Sequence, residues 1–504
     1  MASSGKTGAW RALHRRLALV AGLGALLWSV SGLLHPLLVR AQPQPEQRTA
    51  PALEWQTGEA LLSPAELRPS DDLAQVSLLR LIVLDQTPYY QLQAAPGTPP
   101  RYFHARSGAE LARGDRVYAE YLARHFTGDQ NSPVRRIQPV ARFGGEYDAI
   151  NRMLPVYRVE FARPDGLRAY VDTTRSGLGT LVDDRKALLE GLFRNLHKWD
   201  WLAGLEPLRL LIALLFITAA LTTALTGVTV FFRARASARL TLPIWHRWLG
   251  LGAAVFLLSF AASGGLHLVK MSLNDTTPPP RLPASVTLCN LTAAPDIAMA
   301  LVSGPLQALS VTDIDGQPYY RIEQAAHSGM DGHHAHHGPD SGQATAEPAA
   351  RFFHAEDARP ANISVEDHAR HIAAGLTGHA AIMDAPAAAV NGFGGEYGFV
   401  NKYLPVTRLA VGGSGEEALF IHSASATLAA RIDNADRLEG WLFAWLHKWH
   451  FMAPLGADLR DALMALAAFA IACVSLLGYG LLLRRRRQPR GRSNPRSTSD
   501  WSNP

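Results

Sequence analysis

The chain has 504 residues, 48% of them hydrophobic and 18% charged, with a formal net charge of +6 and a sequence pI near 9.4. The apolar residues gather into a few long blocks, with arginines beside the blocks and at the C-terminus; this pattern marks a membrane protein and argues against a nucleic-acid face. Two cysteines, Cys289 and Cys473, exclude a disulfide framework, an iron–sulfur cluster, a four-cysteine zinc site and a covalent C-x-x-C-H haem attachment.

A cationic N-terminus, residues 1–16 with Arg11, Arg15 and Arg16, leads into the first of four apolar runs. Crossing a bilayer takes ~20 residues at ~1.5 Å each. The runs are Leu17 to Val39 (17–39), Leu210 to Phe232 (210–232), Leu249 to Val269 (249–269) and Ala462 to Leu483 (462–483). Arginines recur in the loop 233–248 (Arg233, Arg235, Arg239, Arg247) and in the tail 484–504 (Arg484, Arg485, Arg486, Arg487). The positive-inside rule then puts both termini and that loop in the cytoplasm of a bacterial inner-membrane protein, with 40–205 and 270–459 in the periplasm. A cleaved signal peptide is the rival reading of the first run, because Val39-Arg40-Ala41 resembles a cleavage site. Against it, His14, Arg15, Leu17, Ser31, Gly32 and His35 return as His246, Arg247, Leu249, Ser263, Gly264 and His267, at a constant offset of 232.

From Phe103-His104-Ala105, which returns as Phe353-His354-Ala355, the segments between the runs repeat at an offset of 250. After a Pro- and Gln-rich tether from Pro43, Leu78 to Leu84 followed by Asp85-Gln86-Thr87-Pro88-Tyr89-Tyr90 predicts a hairpin, with Asp, Gly and Pro as its turn residues. Val311 to Ile314 followed by Asp315-Gly316-Gln317-Pro318-Tyr319-Tyr320 predicts its counterpart. Helices are expected over Asp115 to His125 and Ser364 to Ala374, and strands over Val134 to Val140, Val156 to Phe161 and Ala169 to Thr173. A final helix, Asp184 to Trp199, is expected to run into the second span. Its end, Leu196-His197-Lys198-Trp199, returns as Leu446-His447-Lys448-Trp449.

Phe143-Gly144-Gly145-Glu146-Tyr147 with Leu154-Pro155-Val156 and Arg158 returns as Phe393 to Tyr397, Leu404-Pro405-Val406 and Arg408. These units resemble the PepSY domain. With the spans, Trp245-His246-Arg247-Trp248-Leu249-Gly250 and the two L-H-K-W motifs, residues from about 10 to 485 resemble the PepSY-associated transmembrane family, also called iron-regulated membrane proteins. The resemblance implies a link to iron uptake, since some members are haem-containing reductases of ferric siderophores. The expected fold is a membrane α-helical four-helix bundle of duplicated two-span halves, plus two α+β PepSY-like periplasmic domains. Glu146, Tyr147, Arg158 and their counterparts either line a substrate cleft or close turns and pair on a sheet surface.

Six histidines lie in or at the ends of the spans: His14, His35, His197, His246, His267 and His447. Ionisable groups there are costly unless paired or liganded. His14 and His35, like His246 and His267, are 21 residues apart, which returns to one helix stripe near opposite membrane surfaces. Two spans per half imply a pseudo-twofold axis along the membrane normal, placing His14 opposite His246 and gathering His35, His197, His267 and His447 at the outer side. Facing imidazoles in a helix bundle are the arrangement that holds haem b, two or three here, without covalent attachment. An interfacial position beside arginine is the plainer alternative for His14 and His246. The separation, ~32 Å along a helix, is long for direct exchange between two cofactors.

An insertion confined to the second unit, 327–337, carries His333, His334, His336 and His337. It is either an accessory site for a borderline metal or a solvated loop. No dinucleotide fingerprint, phosphate-binding loop or nucleophile elbow is present, so no flavin or nicotinamide site is expected and electrons come from a cytoplasmic or quinol donor. The expected partners are a ferric siderophore or other ferric chelate, that donor and the lipid bilayer, with no nucleic acid. Two alternatives stand beside this one: a non-redox regulator whose outer units bind a peptide or protease, and a metal-uptake accessory that uses the histidine-rich loop.

Overall fold

A computed structural model of the chain describes residues 2–54, 60–67, 69, 71–233, 242–273, 277–325, 350–412 and 416–487. Its α-helices in order are α1 (Ala2–Arg40), α2 (Gly114–Thr127), α3 (Asp184–Phe193), α4 (Glu206–Arg233), α5 (Leu242–Leu273), α6 (Pro295–Ala300), α7 (Val365–Thr377), α8 (Asn434–Leu442) and α9 (Ala457–Arg487). Four stretches are long and apolar enough to cross a membrane: Gly8–Arg40, Glu206–Arg233, Leu242–Leu273 and Ala457–Arg484. Each contains one of the expected runs and extends past it at both ends. His14 and His246, which the sequence sets just ahead of a run, therefore stand inside α1 and α5.

The four long helices form a ring: α1 packs on α4 and α9, α5 packs on the same two, and α1 and α5 stand diagonally. Small residues set how close they come. A Cβ at Gly24 would fall 2.6 Å from the Phe216 ring, and one at Gly22 would fall 3.0 Å from Tyr479, whose hydroxyl donates to the Leu19 carbonyl at 2.7 Å. At one end Arg40 of α1 is ion-paired with Asp458 of α9.

Seven strands outside the spans form one antiparallel sheet, in the order Pro360–Ala361, Ala350–His354, Gln317–Gln324, Leu306–Ile314, Leu78–Leu84, Thr87–Gln93, Arg101–His104. Leu309 lies opposite Leu81 and Ser310 opposite Arg80, so hydrogen bonds join the two segments that the sequence separates. Leu78–Leu84 alternates poorly because it is an interior strand covered on both faces. A two-stranded antiparallel pair, Gln75–Val76 with Val286–Thr287, and two four-stranded antiparallel sheets complete the fold. One is Val134–Val140, Val156–Phe161, Arg168–Asp172, Gly177–Val182, and the other Ala387–Val390, Val406–Val411, Glu417–His422, Thr427–Ile432. Tyr118, Leu122 and Phe126 of α2 pack between the first of these (Val159, Phe161, Val171) and Ile82 and Tyr102 of the seven-stranded sheet. In the same way α7 sets Ile372 against Leu409, Leu419 and Ile421.

Two expectations change. The hairpin turns are Asp85-Gln86 and Asp315-Gly316, all at positive φ, while Pro88 and Pro318 sit within strands opposite Val83 and Asp313. The helix expected over Asp184 to Trp199 stops at Phe193, because a π turn, Arg194–Lys198, and a left-handed Trp199 (φ 56°) interrupt it before α4 begins at Glu206. Phe443–His447 and Trp449 (φ 51°) repeat that break before α9.

Candidate functional site

The break explains the L-H-K-W motif. A left-handed tryptophan turns the chain back on itself, and Trp199 stacks on Trp28 of α1 at 5.5 Å with its edge toward Phe216. Trp449 stacks on Phe260 of α5 at 5.7 Å. Both rings are buried, at 3% and 8% exposure, so each motif is pinned to a span. The π turn then aims the histidine at a serine of the same span. Ser31 Oγ lies 2.9 Å from His197 Nδ1, and Ser263 Oγ lies 3.2 Å from His447 Nδ1.

The partners fix the tautomers. Ser31 donates its proton to the Trp28 carbonyl at 2.9 Å and Ser263 donates to the Ser259 carbonyl at 2.7 Å, so each hydroxyl accepts from Nδ1–H. His14 Nδ1 lies 3.0 Å from the Thr223 carbonyl, which can only accept, and 3.2 Å from Thr226 Oγ1. His267 Nδ1 donates to Glu439 Oε1 at 2.7 Å. In all four rings Nδ1 is engaged, which leaves Nε2 as the ring nitrogen that could meet a metal. Burial first, then the charges of His35 and Lys198, holds His197 down to about 4. Burial, with His197 and His267 next, holds His447 down to about 3. Both rings are therefore neutral at physiological pH, the form that binds metal.

His14 and His246 meet across the helix ring with centroids 6.3 Å apart, at 59° between planes. Two imidazoles bonded at ~2 Å to one metal would hold their centroids about 6 Å apart. Glycine makes room on the flanking helices: a Cβ at Gly227 of α4 would lie 3.1 Å from His14 Cε1, and one at Gly478 of α9 would lie 3.3 Å from His246 Cε1. His246 Nδ1 is buried without a hydrogen-bond partner among the described residues. Two imidazoles at this spacing, on helices brought close by glycine, are a donor set that could share one metal.

The other four histidines stand as two aromatic stacks. Phe193 lies 4.7 Å from His197 and 6.0 Å from the exposed His35, and Phe443 lies 4.6 Å from His447 and 4.1 Å from His267. Among the described residues no ring contact like that of His14 and His246 joins His197 and His447, although His197 is one of the charges acting on His447.

Glu146 accepts from Arg168 Nε at 2.9 Å, Arg168 Nη2 at 2.8 Å and the Tyr170 hydroxyl at 2.6 Å. Glu396 accepts from Arg408 at 2.5 Å and Arg437 at 2.6 Å. The F-G-G-E-Y carboxylates thus close turns onto the sheets, which is the second of the two roles the sequence leaves open for them. The insertion 327–337, with His333, His334, His336 and His337, lies outside the described residues.

Residue type alone misses several positions at this site. Ser31 and Ser263 recur at the offset of 232 and Phe193 and Phe443 at 250, so both pairs were within reach of the repeat. Gly227 and Gly478 are 251 apart, one residue out of register, which hides them. The model of the PepSY-associated TM region matches residues 244–502. The chain belongs to that family. The PepSY-associated region so matched contains His246, His267 and His447, and His14, His35 and His197 precede it. A comparison with curated proteins finds no match.

Proposed function

We propose that this protein holds b-type haem between duplicated helix pairs and carries electrons across a bacterial inner membrane to a ferric chelate, most simply a ferric siderophore, in the periplasm. The observation that carries the reading is the His14–His246 pair, 6.3 Å apart between the spans with glycine on both flanks. Held by a pair of imidazoles, haem would supply one-electron transfer. His14 and His246 would hold one such group near the arginine-flanked end of the spans. His35, His197, His267 and His447 are the ligands available at the other end, for two or three groups in all.

The chain's own residues do the positioning. Thr223, Ser31, Ser263 and Glu439 keep Nδ1 of His14, His197, His447 and His267 occupied, so Nε2 would be the atom left to hold the group. Trp28–Trp199 and Phe260–Trp449 fix the motif histidines against the spans. Arginines at both termini and in the loop 233–248 orient the outer units toward the periplasm. Reduction of the iron cargo weakens a hard-oxygen chelate, so the outer surface needs proximity rather than a catalytic acid or base.

Proteoliposomes with a reduced donor inside and a ferric chelate with an Fe(II)-trapping dye outside test this. Coloured product should appear with the wild-type chain and fall to the level of empty vesicles in His14→Ala and His246→Ala. A wild-type rate equal to that of empty vesicles would overturn the proposal.

A further inference from the structure

Beneath the join of the two outer segments lies a cavity of about 40 Å³, bordered by Arg281, Arg321, His368 and Ser423. Each of these residues leaves one polar atom shut off from solvent and without a hydrogen-bond partner: Arg281 Nε, Arg321 Nε, His368 Nδ1 and Ser423 Oγ. Arg321, His368 and Ser423 are themselves only 5%, 1% and 6% exposed. Buried polar atoms are nearly always satisfied, so four on residues that border one small space point to a missing partner.

All four can donate. The guanidinium nitrogens do nothing else, and the serine hydroxyl carries a free proton. His368 Nε2 lies 3.0 Å from Thr312 Oγ1, and accepting there puts the ring proton on Nδ1. A water offers two protons of its own, whereas an anion offers only acceptors.

The charge balance points the same way. Arg321 is paired with Glu323, and Arg175 with Asp172. Arg80 donates to neutral groups, the Thr174 carbonyl and Ser176 Oγ, and among the described residues no carboxylate pairs with Arg80 or Arg281. Asp313, the one carboxylate on the cavity wall, accepts from the Gly316 amide at 3.1 Å. Burial, reinforced by the like charge of Arg175, pulls Arg281 down to about 10, which leaves it cationic at neutral pH. Asp172, whose charge acts on Arg281, is already paired with Arg175; a buried cation without an ion-pair partner of its own is costly, and a bound anion lowers that cost.

We propose that this cavity binds a small oxyanion, a carboxylate or phosphate group, through Arg281 together with the donors of Arg321, His368 and Ser423. The site is independent of the histidines between the spans.

Thermal unfolding of the full chain in detergent at pH 7, in acetate or inorganic phosphate against chloride of equal ionic strength, tests it. One of the two oxyanions should raise Tm above the chloride value, and the one that does identifies the group. Arg281→Gln should abolish the rise, and Ser423→Ala should weaken apparent binding about tenfold or more. If Arg281→Gln does not fold, Ser423→Ala carries the test alone. A wild-type Tm that is the same in all three anions, or a rise that survives undiminished in the variants, would overturn the proposal.

Discussion

Gly227→Leu probes the space around His14 without touching a ligand. A Cβ at Gly227 already lies 3.1 Å from His14 Cε1, tighter than ordinary carbon contact, so alanine alone requires the ring to give by a few tenths of an ångström. Leucine adds the rest of its side chain on the same side, where the Thr223 carbonyl and Thr226 hydroxyl hold the ring at 3.0 and 3.2 Å. Overpacking of this kind costs about 1–3 kcal/mol, which is roughly 5- to 150-fold in affinity for a group ligated by His14 and His246. The control is Gly252→Leu on α5, an exposed position where a Cβ meets nothing within 4 Å. Haem per chain, measured as the pyridine complex of the purified protein, should fall by one group in Gly227→Leu, fall less in Gly227→Ala, and stay unchanged in Gly252→Leu. Full haem content in Gly227→Leu, or an equal loss in Gly252→Leu, would refute the reasoning.

Glu146→Gln should lower stability by about 3 kcal/mol, because Arg168, whose side chain is 8% exposed, loses its carboxylate fork and keeps Asp184 at 2.7 Å and the Gly166 carbonyl at 2.5 Å, both through Nη1. Glu396→Gln should cost less, since Arg408 and Arg437 are 29% and 25% exposed; paired Tm measurements check the order. Acid should also destabilise the outer units. Burial pushes Asp172 and Glu146 upward, but the Arg175 charge for the first and the Arg168 hydrogen bonds for the second outweigh it and hold both below the ordinary carboxylate range. Lowered folded-state values mean that the unfolded chain takes up protons first, so this stability is complete above the ordinary carboxylate pKa of ~4 and is lost as pH falls below it. A Tm series from neutral to acid should show that loss, and Asp172→Asn should flatten it. Deleting residues 327–337 should leave chelate reduction intact, whereas a metal-gathering role for the histidine-rich loop requires its loss.

Much of this architecture is legible in the chain because the physics behind it is local. Hydropathy marks the four spans, and two constant offsets mark which histidines are counterparts. Strand limits at Val134–Val140 and Val156–Phe161 agree with the sequence reading to the residue. The shared sheet was not legible: a strand covered on both faces carries no alternation, and pairing between Leu81 and Leu309 leaves no mark in either segment. The break at Trp199 was hidden because residues 184–199 are mostly helix formers, with Gly191 and Asn195 lying ahead of the break rather than at it, and the tryptophan's left-handed turn is set by its stacking on Trp28 in a distant helix. The positioning partners of the histidines were partly legible. Ser31 and Ser263 recur with the spans, while the Thr223 carbonyl beside His14 is backbone and has no residue signature.

The central claim is that His14 and His246 share one haem. An oxidised and dithionite-reduced absorption spectrum of the detergent-purified protein, expressed with ample haem, tests it most directly when recorded beside His14→Ala and His246→Ala. The account predicts a b-type α-band in the wild-type chain and the same partial loss of it in either variant. A wild-type spectrum without that band, or variants that keep it at full height, would contradict it.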